Sequence, residues 1–255
     1  MRPVVCMISD RRRFTGQAQG QAQGKAQGWA EGQAQGQAQG PAEGEAQGKA
    51  QGEAQGQAED ALVASVGTAA RAGIDLVQVR ERDLESGALV RLVARCIAAS
   101  KHTHTRVLVN DRLDVAIAAG AHGVHLRGDS VPAPRVRALV RPGFLIGRSI
   151  HSKEEAARVC AEGGVDYLLF GTVFSTASKP GMDAAGVDAL ADVVSTVPLP
   201  VLAVGGITVG TIRGLGRTGA AGIAAIGVFA DTPIGDLPRT IAELTRAFQE
   251  TQPRS

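Results

Sequence analysis

The chain has 255 residues, with 27 lysines and arginines against 25 aspartates and glutamates, and a formal net charge of +2. This balance argues against a nucleic-acid or membrane-binding surface, and no run approaches the ~18 apolar residues of a membrane helix. The N-terminus lacks the apolar stretch of a signal peptide. Three scattered cysteines without metal spacing indicate a reduced, cytoplasmic protein. We expect the arginines of Arg11–Arg13 to form a solvated loop.

A four-residue repeat follows this N-terminus. Glycine recurs eleven times, at every fourth position from Gly16 to Gly56, in units such as QAQG and EAQG. Each of these glycines would cost a helix roughly 1 kcal/mol relative to alanine, and apart from alanine and Trp29 the segment has little to bury. We therefore expect residues 16–59 to be a disordered insertion rather than a marginal helix. Residues 1–15 and 60–255 would then form one folded domain.

Eight short apolar runs alternate with helical stretches along this domain. The runs are Val4–Ile8, Leu76–Val79, Val107–Val109, Gly123–Leu126, Phe144–Ile146, Tyr167–Phe170, Val201–Val204 and Gly222–Ile226. They are continuously apolar, as parallel strands buried on both faces are. Eight such units in about 210 residues predict an α/β fold, a single (β/α)8 TIM barrel with the repeat in its first βα loop. A doubly wound sheet with fewer strands is the rival architecture.

The barrel prediction places candidate residues at the carboxyl ends of the strands, where active sites of this fold lie. Gln78, Arg80 and Arg82 alternate after the second run, so all three point to one side, into the barrel mouth. Two arginines aimed there predict an anionic ligand. The alternative is that they pair with Glu81 or Asp83.

Runs three and five are followed by residues that could bind a metal ion or act as a general acid or base. After run three, Asp111 could hold Mg²⁺ or cap the next helix. After run five, Ser152 and Glu155 form a capping-box pattern. That pattern places His151 between a strand end and a helix start, at the mouth. A histidine there can act as a general acid or base near neutral pH, although most lone histidines are structural.

The last three runs are followed by residues that suit phosphate groups. Hydroxyls and a lysine follow run six, and glycine-rich turns follow runs seven and eight, where backbone N–H groups form the barrel phosphate site. These candidates are Thr176, Ser178, Lys179, Gly205, Gly206, Ile226 and Gly227.

The motifs in combination resemble one known family. They are QVRERD, VNDRLDVAIAAGAHGVHL, IGRSIHSKEEA, DYLLFGTVFSTASKPG, VLAVGGI and AAGIAAIGVF, and they span Val4 to Phe229 outside the repeat. The family is that of thiamine phosphate synthase and its relative TenI, the thiazole tautomerase. The resemblance implies an enzyme of thiamin biosynthesis that binds a phosphorylated thiazole.

The resemblance to the synthase implies a specific reaction. A pyrimidine methyl pyrophosphate ionises, and the nitrogen of the thiazole phosphate attacks the resulting cation. Arg80, Arg82 and Asn110 would contact the pyrophosphate, and Asp111 would hold Mg²⁺. The candidates that follow runs six to eight match the stretches with which the family binds phosphate groups and the thiazole phosphate.

One departure from the synthase pattern concerns the metal site. Where the synthase has an aspartate as its second Mg²⁺ ligand, this chain has Ser130, and Asp129 comes one residue too early. TenI needs no metal, because it moves a proton between tautomers. Its S-x-H-S motif is matched by Ser149 and His151, so Ser149 is a further candidate ligand contact.

The leading expectation is therefore a TenI-like tautomerase with His151 as acid and base and no cofactor. The alternatives are the synthase, which would use Mg²⁺ and also bind pyrimidine pyrophosphate, and a phosphate-binding barrel without catalysis. A homo-oligomer is compatible with the sequence, whereas nucleic acid and membrane are not expected partners.

Overall fold

The computed structural model describes residues 2–13, 41–176 and 183–252, with the backbone alone for residues 41–51. Eight strands pair in parallel in chain order, and the first also pairs with the last, so the sheet closes. The strands are β1 Val4–Ile8, β2 Leu76–Val79, β3 Arg106–Asn110, β4 Gly123–Leu126, β5 Leu145–Ile150, β6 Tyr167–Phe170, β7 Val201–Val204 and β8 Gly222–Ala225. The predicted (β/α)8 barrel is confirmed.

In the described part of the chain, α-helices follow every strand except β7, which is followed by 3-10 turns. The helices are α1 Pro41–Arg71, α2 Ser86–Ala99, α3 Leu113–Ala118, α4 Ala133–Arg137, α5 Lys153–Glu162, α6 Gly186–Thr196, α7 Gly227–Ala230 and α8 Leu237–Gln249. Short 3-10 turns occur at Arg11–Arg13, Ile212–Gly214, Gly216–Thr218 and Ile234–Asp236. None of the described helices combines the length and the apolar character needed to cross a bilayer.

The strand β5 is longer than its apolar run. It continues beyond Ile146 to Ile150, because Ser149 and Ile150 still pair with β6. The outer part of β5 contains polar side chains, so a strand predicted from hydrophobicity alone ends before the true strand does. Arg148 and Ser149 are consequently strand residues.

The barrel interior changes from apolar to polar towards the mouth. Its apolar side chains are Cys6, Ile8, Leu76, Leu108, Tyr167, Leu169, Leu202 and Ala224. Gln78 and Asn110 come two positions after Leu76 and Leu108, and therefore continue the same inward faces. His125 and Ser149 contact each other in the same upper layer. Hydrogen-bonding groups thus lie directly beneath the mouth.

The helix α1 contains the second part of the glycine repeat. Residues 41–59, which we expected to be disordered, have a helical backbone, whereas residues 16–40 lie outside the described residues. Side chains 52–57 are exposed, and burial begins at Ala58 and continues at Leu62. A helix already held by packed residues extends at one hydrogen bond per residue without a new nucleation cost. This anchoring offsets the penalty of the glycines.

Candidate active site

Arg11 forms ion pairs with both acidic residues of the loop after β2. Its guanidinium lies 3.1 Å from Glu81 and 2.7 Å from Asp83, and its side chain is only 7% exposed. The expectation of a solvated Arg11–Arg13 loop is therefore wrong for Arg11, because two carboxylates compensate its buried charge. Hydrogen bonding to Asp83 raises the pKa of Arg11. Glu81 and Asp83, in the loop after β2, are thus paired with Arg11, which lies in the loop after β1.

Arg80 and Arg82 are left without these acidic partners. Within the described ranges, neither forms an ion pair with Glu81 or Asp83. Arg80 is half-buried, and burial together with the charge of Arg82 lowers the pKa of Arg80, an effect that a bound anion would oppose. A cavity of about 400 Å³ is lined by Asp10, Arg12, Arg13, Arg80, Glu81, Arg82 and Asp83. Glu81 and Asp83 therefore do not neutralise the two arginines, and anion binding by Arg80 and Arg82 stays a prediction.

Asn110 is oriented by a neighbour in the upper layer of the barrel. Its Oδ1 accepts a hydrogen bond from Nε2 of Gln78 at 2.9 Å. This bond leaves the NH₂ group of Asn110 as the part of the amide that can donate to an anion. The buried Oε1 of Gln78 has no hydrogen-bond partner among the described residues. A donor from a ligand or from water would satisfy it.

Asp111 and Ser130 lie in direct contact, although they come from different loops. The hydroxyl of Ser130 donates to Oδ1 of Asp111. Nη1 of Arg127 is 3.8 Å from the other carboxylate oxygen, and Arg127 also pairs with Asp129 at 2.6 Å. Position 130 therefore lies where a second carboxylate could share a ligand with Asp111, but it carries a hydroxyl. Asp129 is engaged by Arg127.

Asp111 does not cap the helix that follows it. The N-cap of α3 is Arg112, and no side-chain cap hydrogen bond is formed there. Asp111 has a φ of 63°, a left-handed conformation that aspartate adopts more readily than most residues. Its carboxylate thus remains at the mouth. In the described part of the chain, no three carboxylate, histidine or cysteine side chains form a group that could hold a metal ion.

Arg148 holds the loop that carries Ser130. The buried guanidinium donates to the carbonyl oxygens of Gly128 at 2.8 Å, Ser130 at 3.2 Å and Val131 at 2.8 Å. The planar fork of arginine suits several acceptors at once. No pattern in the sequence indicates this role for Arg148, because its partners lie in another loop and no local spacing connects them.

His151 follows β5 and is exposed at the mouth. Its Nδ1 contacts the carbonyl oxygen of Gly171. Since a carbonyl can only accept, Nδ1 carries the proton in the neutral ring, and Nε2 is left as the basic atom. The backbone N–H of His151 donates to Glu155 at 2.8 Å, and Ser152 accepts from the N–H of Glu155 at 3.1 Å. The predicted cap at Ser152 is confirmed, and Glu155 fixes the backbone of His151.

Ser149 is the outer end of a buried hydrogen-bonded chain. Its Oγ is 2.9 Å from Nε2 of His125, and Nδ1 of the same ring is 3.0 Å from the hydroxyl of Tyr167. Burial lowers the pKa of His125 to about 4, so the ring is neutral at physiological pH. The sequence predicts Ser149 as a ligand contact, whereas no local pattern indicates a role for His125 or Tyr167.

The turns after β7 and β8 have the glycines that a close backbone approach requires. Gly205 and Gly206 have φ values of 102° and 64°. A Cβ on Gly206 would lie 2.6 Å from the carbonyl oxygen of Ser175, so only glycine fits. After β8, α7 begins at Gly227, and Nη1 of Arg13 would lie 3.3 Å from a Cβ there.

Four further candidates complete the set. Ile226 is the N-cap residue of α7. Thr176 is partly buried at the end of the described loop after β6, and Ser178 and Lys179 lie outside the described residues.

Comparison with known proteins identifies the family. The model of the family described as thiamine monophosphate synthase matches residues 52–229. The thiamine-phosphate synthase of Anaeromyxobacter dehalogenans is 40% identical over 164 residues, which are 64% of this chain and 71% of that protein. The putative thiamine-phosphate synthase of Geobacter sulfurreducens is 39% identical over 173 residues, 68% of this chain and 81% of that protein.

A solved structure agrees at the level of the fold. Thiamine phosphate pyrophosphorylase from Pyrococcus furiosus superposes with a TM-score of 0.70 at 24% identity, covering 97% of this chain and 96% of that one. With the sequence matches, the finding is plain: this chain belongs to the thiamine phosphate synthase and TenI superfamily.

Proposed function

We propose that the chain is a thiamine phosphate synthase, a transferase that joins a pyrimidine pyrophosphate to a thiazole phosphate. From sequence alone, a TenI-like tautomerase is the leading expectation and the synthase is the alternative. Relatives that are 35–40% identical and are named thiamine-phosphate synthase favour the second reading. The observation that carries the proposal is the pairing of Arg11 with Glu81 and Asp83, which leaves two arginines available to a pyrophosphate.

The proposed reaction separates charge at the carbon that bears the pyrophosphate. The C–O bond breaks, pyrophosphate leaves with the electron pair, and the thiazole nitrogen forms the new C–N bond to the cation. Arg80, Arg82 and the NH₂ group of Asn110 would bind the leaving pyrophosphate. Fixed donors aimed at developing negative charge are the usual means of lowering such a barrier. The turns at Gly205 and Gly227 would hold the thiazole phosphate.

Asp111 is the residue at the mouth that would hold a Mg²⁺ ion when pyrophosphate is bound. Mg²⁺ is commonly held by one or two carboxylates together with phosphate oxygens and water. Asp111 offers one carboxylate, and Ser130 offers a neutral oxygen in contact with it. When bound, the ion would neutralise charge on the leaving pyrophosphate. Arg127, 3.8 Å from Asp111, adds a further positive charge.

The test is a synthesis assay with a matched pair of variants. Purified protein with pyrimidine pyrophosphate, thiazole phosphate and Mg²⁺ is expected to form thiamin phosphate and release pyrophosphate. Ser130→Asp should lower the Mg²⁺ concentration needed for half-maximal rate, because it adds a carboxylate beside Asp111. Asp111→Asn should raise it. No turnover of the wild type at saturating Mg²⁺ would refute the proposal.

A tautomerase is the second candidate, and one observation favours it. The bond from Nδ1 of His151 to Gly171 leaves Nε2 as a base at the mouth, and proton transfer needs no second carboxylate. In that case His151→Asn should abolish proton exchange on a thiazole carboxylate phosphate and leave phosphate binding unchanged. Unchanged exchange in this variant would reject His151 as the base. Phosphate binding without either activity would leave the third reading, a non-catalytic barrel.

A further inference from the structure

A chain of three polar groups extends from the apolar interior of the barrel to the mouth. It starts at the hydroxyl of Tyr167, continues through the imidazole of His125 and ends at the hydroxyl of Ser149, with contacts of 3.0 and 2.9 Å. Tyr167 is 6% exposed and His125 is 1% exposed. Ser149 is only partly buried.

The barrel makes room for this chain at one specific position. Gly147 is the register partner of Tyr167 on the neighbouring strand. A Cβ on Gly147 would lie 2.2 Å from Cζ of Tyr167. The phenol therefore occupies space that a side chain at position 147 would fill, and this brings its hydroxyl to His125.

The protons of the chain can be arranged in two directions. In the first, Tyr167 donates to Nδ1 of His125, Nε2–H donates to Ser149, and the proton of Ser149 points away from the ring. In the second, Ser149 donates to Nε2, Nδ1–H donates to Tyr167, and the tyrosine proton needs an acceptor elsewhere. Apart from His125, no hydrogen-bond acceptor for that hydroxyl is found among residues 2–13, 41–176 and 183–252. A buried donor without an acceptor is strongly disfavoured, so the first direction prevails.

The phenol at the inner end of the chain keeps the proton that this direction requires. Burial raises the pKa of Tyr167 well above its ordinary range, so its hydroxyl stays a donor.

We propose that Tyr167 and His125 are positioning residues that make the Ser149 hydroxyl a hydrogen-bond donor to an anionic oxygen of the substrate. His125 already donates to the Ser149 oxygen, and the serine proton is thereby left for a ligand at the mouth. This inference rests on the proposed function in one respect, that the ligand at the mouth is a phosphorylated compound.

The position of the proton on His125 is the first test. Nitrogen-15 NMR of the full-length wild-type protein without ligand should show His125 neutral, with its proton on Nε2. Tyr167→Phe should weaken the preference for this form, because Nδ1 loses its donor and either tautomer then leaves one buried ring nitrogen without a partner. A proton on Nδ1 in the wild type would overturn the inference. This reading of the wild type requires neither a variant nor a ligand.

The effect on binding is the second test, with inorganic pyrophosphate and Mg²⁺ as the probe. Tyr167→Phe should raise the dissociation constant about fivefold, the equivalent of one neutral hydrogen bond. In a Ser149→Ala background the same change should have no further effect, because the group that it positions is absent. An equal loss in both backgrounds would show a merely structural role and overturn the inference. Failure of the wild type to bind pyrophosphate would count against the proposed function, and the NMR result would still decide the proton direction.

Discussion

Replacement of Arg11 by methionine tests whether Arg11 keeps Glu81 and Asp83 from pairing with Arg80 and Arg82. Methionine fills a similar volume without charge, so Glu81, whose side chain is 2% exposed, loses its cation. Breaking a buried ion pair by removing one partner costs about 3–5 kcal/mol. The carboxylate keeps hydrogen bonds from Ser9 and from the backbone N–H of residue 11. We therefore expect the lower end, about 3 kcal/mol at pH 7.5.

The pH dependence of this loss follows from the protonation of Glu81. Burial already raises the pKa of Glu81 in the folded protein, and Arg11 opposes that rise. In Arg11→Met the folded-state pKa rises further, while the unfolded-state value is unchanged. The destabilisation is therefore complete above the folded-state pKa of the variant. It shrinks as the pH falls towards the unfolded-state pKa, because the buried carboxyl takes up a proton.

Urea unfolding at several pH values between 5 and 8 measures this effect. The matched control is Arg11→Met combined with Glu81→Gln, whose stability difference from Glu81→Gln alone should show little pH dependence, because neither protein has the buried carboxylate. Pyrophosphate binding should also weaken in the single variant, since Glu81 and Asp83 become free to pair with Arg80. A loss under 1 kcal/mol, or one independent of pH, would refute the reasoning.

Three further changes probe other parts of the account. Gly206→Ala should weaken binding of thiazole phosphate by at least about tenfold in a titration, because alanine is strained at this φ and its Cβ would meet the backbone; unaltered affinity would remove this turn from the site. Arg148→Met should lower the free energy of unfolding by about 3 kcal/mol and raise the Mg²⁺ requirement, because three carbonyl contacts on the Ser130 loop are lost; normal Mg²⁺ dependence would show that the loop holds its shape unaided. Deletion of residues 16–56 should change the melting temperature by no more than about 2 °C, since the described side chains 52–57 are exposed and burial begins at Ala58; a large drop would mean that the repeat packs.

The sequence predicts the barrel well because strand burial is a local property. Each of the eight strands overlaps an apolar run, and most bounds agree within a residue. The residues that orient the site cannot be predicted from local hydrophobicity in the same way. Arg148 and Tyr167 act through partners on other strands and loops, and only the closed barrel brings them together. Arg11 resembles its neighbours in sequence, and its burial depends on acidic residues some 70 positions away.

The repeat departs from its prediction over residues 41–59, which have a helical backbone, whereas residues 16–40 lie outside the described residues. Glycine spacing argues against a helix when residues 41–59 are considered alone. The structure continues the helix through them because Ala58, Leu62 and Val66 anchor its other half against the barrel. Tertiary contacts of this kind leave no signal inside the repeat itself.

The most direct measurement of the central claim is a single-turnover reaction analysed by mass spectrometry. Wild-type protein, in excess over pyrimidine pyrophosphate and supplied with thiazole phosphate and Mg²⁺, is predicted to yield thiamin phosphate and one equivalent of pyrophosphate. Arg80→Met should retain the fold and lose most of this product, since the leaving group loses its guanidinium. Recovery of both substrates intact from the wild type, with proton exchange on a thiazole carboxylate that depends on His151, would contradict the account and establish the tautomerase instead.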